Sequence, residues 1–243
     1  FEQAFAYSLE EKKAYALSDG LSNVTEPTFD SSGKYLFILA STDAGPVVNW
    51  FDQSNQDMEM TNSIYLVTLQ KDLQSPLARR NDMEVIEEAE EKEEKDEKKD
   101  KDKKEDETIR IDWDGIFNRI ISLPVNEGMY SNLASPEEGK LYFVSGAQNG
   151  SSSLMSYDLK ERKAETIMPA DYFEIAAKGK KMLFRNDGAW GISAVGKKPE
   201  NGMLDTNAIK IKIDPREEWP NIFYETWRVN RDYFYDPGMH GVD

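Results

Sequence analysis

A two-residue turn, Gly-Lys, stands directly before an apolar run of strand length at three places: Gly33-Lys34, Gly139-Lys140 and Gly179-Lys180. The last two turns lie 40 residues apart. A turn-plus-strand unit recurring every ~40 to 50 residues is the spacing of four-stranded β-propeller blades. The first interval is 106 residues, and two polar stretches inside it, Asp43 to Asn62 and Ser75 to Thr108, absorb most of the excess. Each unit reads as a semi-polar inner strand (EPTFDS, YSNLAS, YFEIAA), the Gly-Lys turn, a strand apolar on both faces, a strand ending in a polar turn, and an outer strand.

The apolar runs support this reading. Tyr35 to Ala40, Ile64 to Leu69, Ile116 to Leu123, Leu141 to Val144, Leu154 to Leu159, Lys181 to Phe184 and Trp190 to Ser193 are too short for helices. They are separated by Asp19-Gly20, Glu138-Gly139, Asn149-Gly150 and Asp187-Gly188, residue pairs that tolerate the positive φ of hairpin turns. The expected fold is mainly β: antiparallel propeller blades at about 22–125, 128–170 and 171–213, preceded by the outer strands of another at 3–18. A β-sandwich is the competing arrangement. Three blades and part of a fourth are fewer than a closed propeller holds, so the N-terminal half of the assembly is expected to be missing. Phe1 in place of an initiator Met points the same way, to a piece of a longer protein.

Charge narrows the range of partners. The formal net charge is −16, and such a chain is a poor ligand for nucleic acid or anionic lipid. Between Glu84 and Glu107 there are 14 acidic residues and 7 lysines in 24 positions. With almost nothing to bury, that run is expected to be a disordered insertion at about 78–108. It lacks the fixed oxygen ligands and turn glycine of a calcium loop, and Asp112-Trp113-Asp114-Gly115 reads as a strand-end turn. No cysteine is present, which excludes disulfides, thiolate metal sites and thiol nucleophiles. The single His240 excludes centres that need two histidines from this chain. There is no Gly-x-Ser-x-Gly elbow and no phosphate-cradling glycine loop. Ser151 to Ser153 reads as a hairpin. His240, with no Ser-rich or acidic constellation around it, reads as structural. No apolar run approaches the ~20 residues of a membrane span.

The pattern changes at Asp214. Asp214-Pro215-Arg216-Glu217 has the order of a capping box with proline at the first helical position. Trp219, Ile222, Phe223, Trp227 and Phe234 then fall near helical spacing. Pro220 is expected to kink or restart the helix, and Asp236-Pro237-Gly238 to stop it. The aromatics of this segment are expected to pack between helix and propeller. The domain reading is therefore 1–213 propeller blades and 214–243 the first helix of a following helical domain.

Two stretches carry a resemblance: IRIDWDGIFNRIISLPVNEGMYSNL, Ile109 to Leu133, and DPREEWPNIFYETWRVNRDYFYDPGMHGVD, Asp214 to Asp243. Together they resemble the tricorn protease family, the second being the more specific. The resemblance implies the end of that family's second propeller and the start of its first helical catalytic-region domain. It implies a parent that is a large serine peptidase cutting peptides released by other proteases, with two propellers, a helical domain, a PDZ-like domain and a second catalytic domain. Implied partners are peptide substrates, the remaining blades and catalytic domains of the same chain, and further copies in a homo-oligomer, with no nucleic acid and no membrane. The implied compartment is cytoplasmic, with periplasmic as the alternative. The family's catalytic His and its neighbouring Ser lie further along the helical domain than His240, and its nucleophilic Ser and a Glu lie later still. No position here matches them, so the expected catalytic, cofactor and metal residues of this chain are none. The expected role is a noncatalytic wall that guides or filters peptides. The alternatives are a propeller scaffold without peptidase activity and a prolyl-oligopeptidase-like enzyme with a downstream nucleophile elbow.

Overall fold

The computed structural model describes residues 2–43, 61–79, 109–146 and 150–241. The acidic run Glu84 to Glu107, expected to be disordered, lies outside the described residues. The chain divides into two compact units, Phe1–Leu204 and Asp205–Asp243.

Among the described residues, the first unit holds four separate antiparallel sheets in chain order. Strands β1 (Phe5–Ser8) and β2 (Lys13–Ala16) pair alone. A four-stranded sheet follows, β3 (Val24–Phe29), β4 (Tyr35–Ala40), β5 (Ser63–Thr68) and β6 (Ile120–Ser122). The next four-stranded sheet is β7 (Met129–Glu137), β8 (Lys140–Gly146), β9 (Ser152–Asp158) and β10 (Lys163–Pro169). The last has three strands, β11 (Tyr172–Ile175), β12 (Lys181–Asn186) and β13 (Ala189–Ala194). The three post-turn strands β4, β8 and β12 each stand second in a different sheet. Equivalent positions in successive sheets are what propeller blades require; a sandwich would merge them.

The Gly-Lys turns work because Gly33, Gly139 and Gly179 have φ of 69°, 70° and 65°, a conformation that a side chain opposes. The first two turns feed strands buried on both faces, whereas in β12, after the third, Met182 and Phe184 are buried and Leu183 is half-buried. Leu36, Phe37, Ile38, Leu39 and Ala40 of β4 and Leu141, Tyr142, Phe143 and Val144 of β8 are all buried. Side chains alternate across a strand, so each such strand supplies a core on both sides. Leu36 and Ile38 pack toward the β1–β2 pair with Ala4, Leu17 and Val67. Phe37 and Leu39 pack with Leu66 of their own sheet and with Leu141, Phe143 and Tyr157 of the next blade. Tyr142 and Val144 pack with Phe173, Met182 and Phe184 of the last.

Two expectations are modified. The run Ile116 to Leu123 is half turn: Gly115, at φ 71°, opens a 3-10 helix over Ile116–Arg119 before β6 begins. The Arg119 guanidinium holds this corner by donating to the carbonyls of Thr68 (2.9 Å), Asp114 (3.1 Å) and Asp112. The fourth strand of the last blade is reduced to a bridge between Gly191 and Met203. Ile192 N donates to Gly202 O at 2.7 Å and Leu204 N to Trp190 O at 2.8 Å. A Cβ on Gly202 would lie 2.0 Å from Ile192 O, so only glycine permits this approach. Asp205 then caps a 3-10 turn, Thr206–Ala208, which ends strand geometry.

In the second unit the helix α1 spans Pro215–Tyr233. Asp214 Oδ1 accepts from Arg216 N at 3.0 Å, and its carbonyl accepts from Glu217 N and Glu218 N. The cap bonds the second helical position in place of the third that a capping box uses. Glu217 and Glu218 in the first turn suit the positive end of the helix dipole. The helix continues through Pro220 without a break. Pro220 is its sixth residue, so the donor lost is the one to the Arg216 carbonyl, close to the helix start, where the ladder has little yet to lose. No residue of α1 is buried, and Trp219, Phe223 and Tyr233 are among its exposed aromatics.

Candidate functional site

The inner strands β3, β7 and β11 carry the polar features that repeat from blade to blade. Seven residues before the glycine of each Gly-Lys turn stand Glu26, Asn132 and Tyr172. Glu26 and Asn132 have φ of 51° and 60°, and the ladder shifts register around them, between Thr25 and Thr28 and between Ser131 and Ala134. Such a bulge re-aims a side chain out of the sheet. Both side chains reach the next inner strand: Leu133 N donates to Glu26 Oε2 and Phe173 N to Asn132 Oδ1, each at 2.8 Å.

Three residues before the glycine the blades diverge. Asp30, only 2 % exposed, accepts at Oδ1 from Ser135 Oγ (2.8 Å) and Gly139 N (3.0 Å), both on the second blade. Its Oδ2 accepts from Ser32 N at 3.0 Å. At the same place in the second blade stands Pro136. Beside it opens a shallow groove of about 500 Å³, lined by Thr28, Ser31, Ser135, Pro136, Ile175 and Lys178 among others. Its walls are main chain, small side chains, the apolar Leu133 and Ile175, and one lysine. It has the character of a surface along which an extended chain can lie, without the converging acid, base and nucleophile of a hydrolytic centre.

His240 sits in the turn after α1, with φ of 54°. The expectation that no acid surrounds it is corrected: Asp236 Oδ2 lies 3.1 Å from its Nδ1 and accepts from its main-chain N at 2.9 Å. Asp236 Oδ1 accepts from Gly238 N at 2.9 Å, which closes the turn. Nε2 meets the Tyr235 hydroxyl, and the imidazole stands edge-on to Phe234 at 5.7 Å. The spacing Asp-x-x-x-His with a glycine between was the available signal. Chemically this is an imidazole fixed by a carboxylate, with a phenol where a nucleophile would have to be. The imidazole is 59 % exposed, so no enclosed pocket surrounds it.

Among the displaced proton affinities of the blades are those of four tyrosines. Burial pushes the phenols of Tyr35, Tyr130, Tyr142 and Tyr157 above their usual value, and Glu137 adds to the effect at Tyr142. The unfolded chain then releases these protons at about pH 10 while the folded chain still holds them, so unfolding gains on the alkaline side. Stability from these groups is complete below about pH 10 and declines as pH rises through the raised folded values. The urea midpoint of wild type should therefore fall relative to that of Tyr142→Phe as pH increases from 9 to 11. Parallel curves over that range would exclude Tyr142 from the effect.

Two successive four-stranded sheets and a three-stranded one, packed face to face through their second strands, define β-propeller blades, and a capped helix follows them in the chain. Residues 215–243 match the sequence model of the Tricorn protease C1 domain. The chain is 29% identical over 240 residues to Tricorn protease homolog 1 of Streptomyces coelicolor (strain ATCC BAA-471 / A3(2) / M145), covering 89% of this chain and 22% of that protein. It is 24% identical over 236 residues to the tricorn protease of Thermoplasma volcanium, covering 92% of this chain and 21% of that protein. A crystal structure of the tricorn protease superposes with a TM-score of 0.66 at 18% identity, covering 96% of this chain and 22% of that one. Along most of its length the chain is similar to members of the tricorn protease family. It spans about a fifth of the length of these relatives.

Proposed function

We propose that these residues form a noncatalytic propeller-and-linker segment of a tricorn-like serine peptidase, guiding or filtering peptides on their way to an active site carried elsewhere in the protein. The observation that carries this reading is the order of parts: propeller blades are followed directly by a helix within the residues that match the Tricorn protease C1 domain. The chemistry agrees with it. Peptide hydrolysis needs a nucleophile, a base that activates it and donors for the oxyanion, within hydrogen-bond reach of one another. His240 is the sole imidazole of the chain, and its two nitrogens face Asp236 and Tyr235.

On this reading the chain contributes no catalytic, metal or cofactor residue. Its partners are peptides, the remaining blades and catalytic domains of its own polypeptide, and further copies in a homo-oligomer, in the cytoplasm. None of the described helices is long and apolar enough to cross a membrane.

The test is a His240→Ala variant of the longer protein. Turnover of a fluorogenic peptide should stay within a few-fold of wild type, because a lost turn contact costs little, whereas loss of a catalytic base costs orders of magnitude. Collapse of kcat with the fold intact would make His240 catalytic and overturn the assignment.

A further inference from the structure

The two complete seams between blades are built differently. Across the first, Asp30 binds Ser135 and Gly139, Ser31 N donates to Ser135 O at 3.1 Å, and Lys34 Nζ meets Glu138 at 2.8 Å. Arg162 Nη2 donates to the Pro76 carbonyl at 2.7 Å, and Asn62 and Gly128 exchange main-chain hydrogen bonds of 2.8 and 3.0 Å.

At the second seam the same repeat positions carry Pro136 in place of Asp30 and Ile175 in place of Ser135. Gly179 N, the counterpart of Gly139 N, donates within its own turn to Ala176 O at 2.7 Å. Among the described residues, the repeat staple that survives there is the bond from Phe173 N to Asn132. The rest of the seam is the apolar cluster of Tyr142, Val144, Phe173, Met182 and Phe184.

Hydrogen bonds fix register because they are directional. Apolar contact is not directional and tolerates small sliding of one packed layer on another. We infer that the third blade is a movable unit that shears against the first two about the Asn132–Phe173 bond, widening and narrowing the groove between Pro136 and Gly179. This inference rests on the comparison of the two seams and stands apart from the peptidase reading.

The geometry supplies its own lock. A Cβ built on Gly179 lies 3.6 Å from Pro136 Cβ, within the ~3.5 to 4.5 Å between the Cβ atoms of a disulfide, and the chain has no other cysteine. Amide hydrogen exchange on the wild-type chain comes first. Phe173 N should be protected at least ~10-fold less than Leu133 N, since each reports the opening of its own seam. Asp171 N and Ala176 N donate within the blade to Arg185 O and Lys181 O, both at 2.9 Å, and should remain as protected as Leu133 N. In the P136C/G179C variant, oxidation should then raise Phe173 to the level of Leu133.

Equal protection of Phe173 and Leu133 within ~2-fold would overturn the inference. So would joint loss of Asp171 and Ala176 with Phe173, which means unfolding of the blade, and so would a formed crosslink that leaves Phe173 unchanged. If the cysteine pair prevents folding, the wild-type comparison decides alone.

Discussion

Replacing Phe143 by alanine is expected to lower the unfolding free energy of the blade unit by about 3 to 5 kcal/mol, the range for removing a fully buried phenylalanine whose surroundings close in only partly. Phe143 has no exposed surface and stands at the junction of the first two complete blades, packed with Phe37, Leu66 and Leu141. Its ring meets Tyr130 edge-on, with centroids 5.2 Å apart. The β8 backbone continues on both sides, so the sheet cannot fold into the void without drawing the blades together. Phe117, 48 % exposed, is the control, and its alanine variant should fall within about 0.5 kcal/mol of wild type. Urea unfolding followed by tryptophan fluorescence reads both; similar shifts for the two would mean that the face-to-face core does not hold the blades.

The second large effect is expected at Asp30. Asp30→Ala strips an acceptor from Ser135, Gly139 and Ser32 at once; the Ser135 hydroxyl retains the Lys140 carbonyl, and the loss at the half-buried Gly139 and Ser32 amides together with the empty carboxylate site costs about 3 kcal/mol. Asp30→Asn should cost less. Its side-chain oxygen can keep the two bonds to the second blade while its amide nitrogen opposes Ser32 N, so the turn suffers and the seam survives. Hydrogen exchange at Gly139 separates the cases. Its amide should lose protection in Asp30→Ala and retain most of it in Asp30→Asn. Equal loss in both variants would show that the charge, more than the acceptor geometry, holds the seam.

The parts of this fold that could be read from the sequence are those written locally. A glycine that must take positive φ, followed by a run apolar on both faces, is visible in a dozen residues, and three such turns were enough to place β4, β8 and β12 in equivalent positions. The aspartate and proline opening α1 are equally local, and the cap forms where they stand. What stayed hidden depends on residues distant in the chain. Nothing near Glu26 announces that its carboxylate serves Leu133, 107 positions away, and Asp30 looks like an ordinary turn residue until Gly139 arrives beside it. The end of the last blade was hidden for another reason: Gly202 permits one tight bridge and Asp205 then turns the chain, so apolar Ile209, Ile211 and Ile213 imitate a strand that does not form. The acid beside His240 was within reach, since Asp236 precedes it by four residues. A turn that folds back on itself is harder to see than a helix with the same spacing.

The proposed assignment places the peptidase nucleophile outside these 243 residues. The most direct test is a serine-directed phosphonate probe applied to this chain and to the longer protein, with peptide turnover measured in parallel and the labelled residue mapped by mass spectrometry. The account expects turnover and a labelled serine in the longer protein only, at a position beyond residues 1–243. Turnover by this chain alone, or a labelled serine within it, would contradict it.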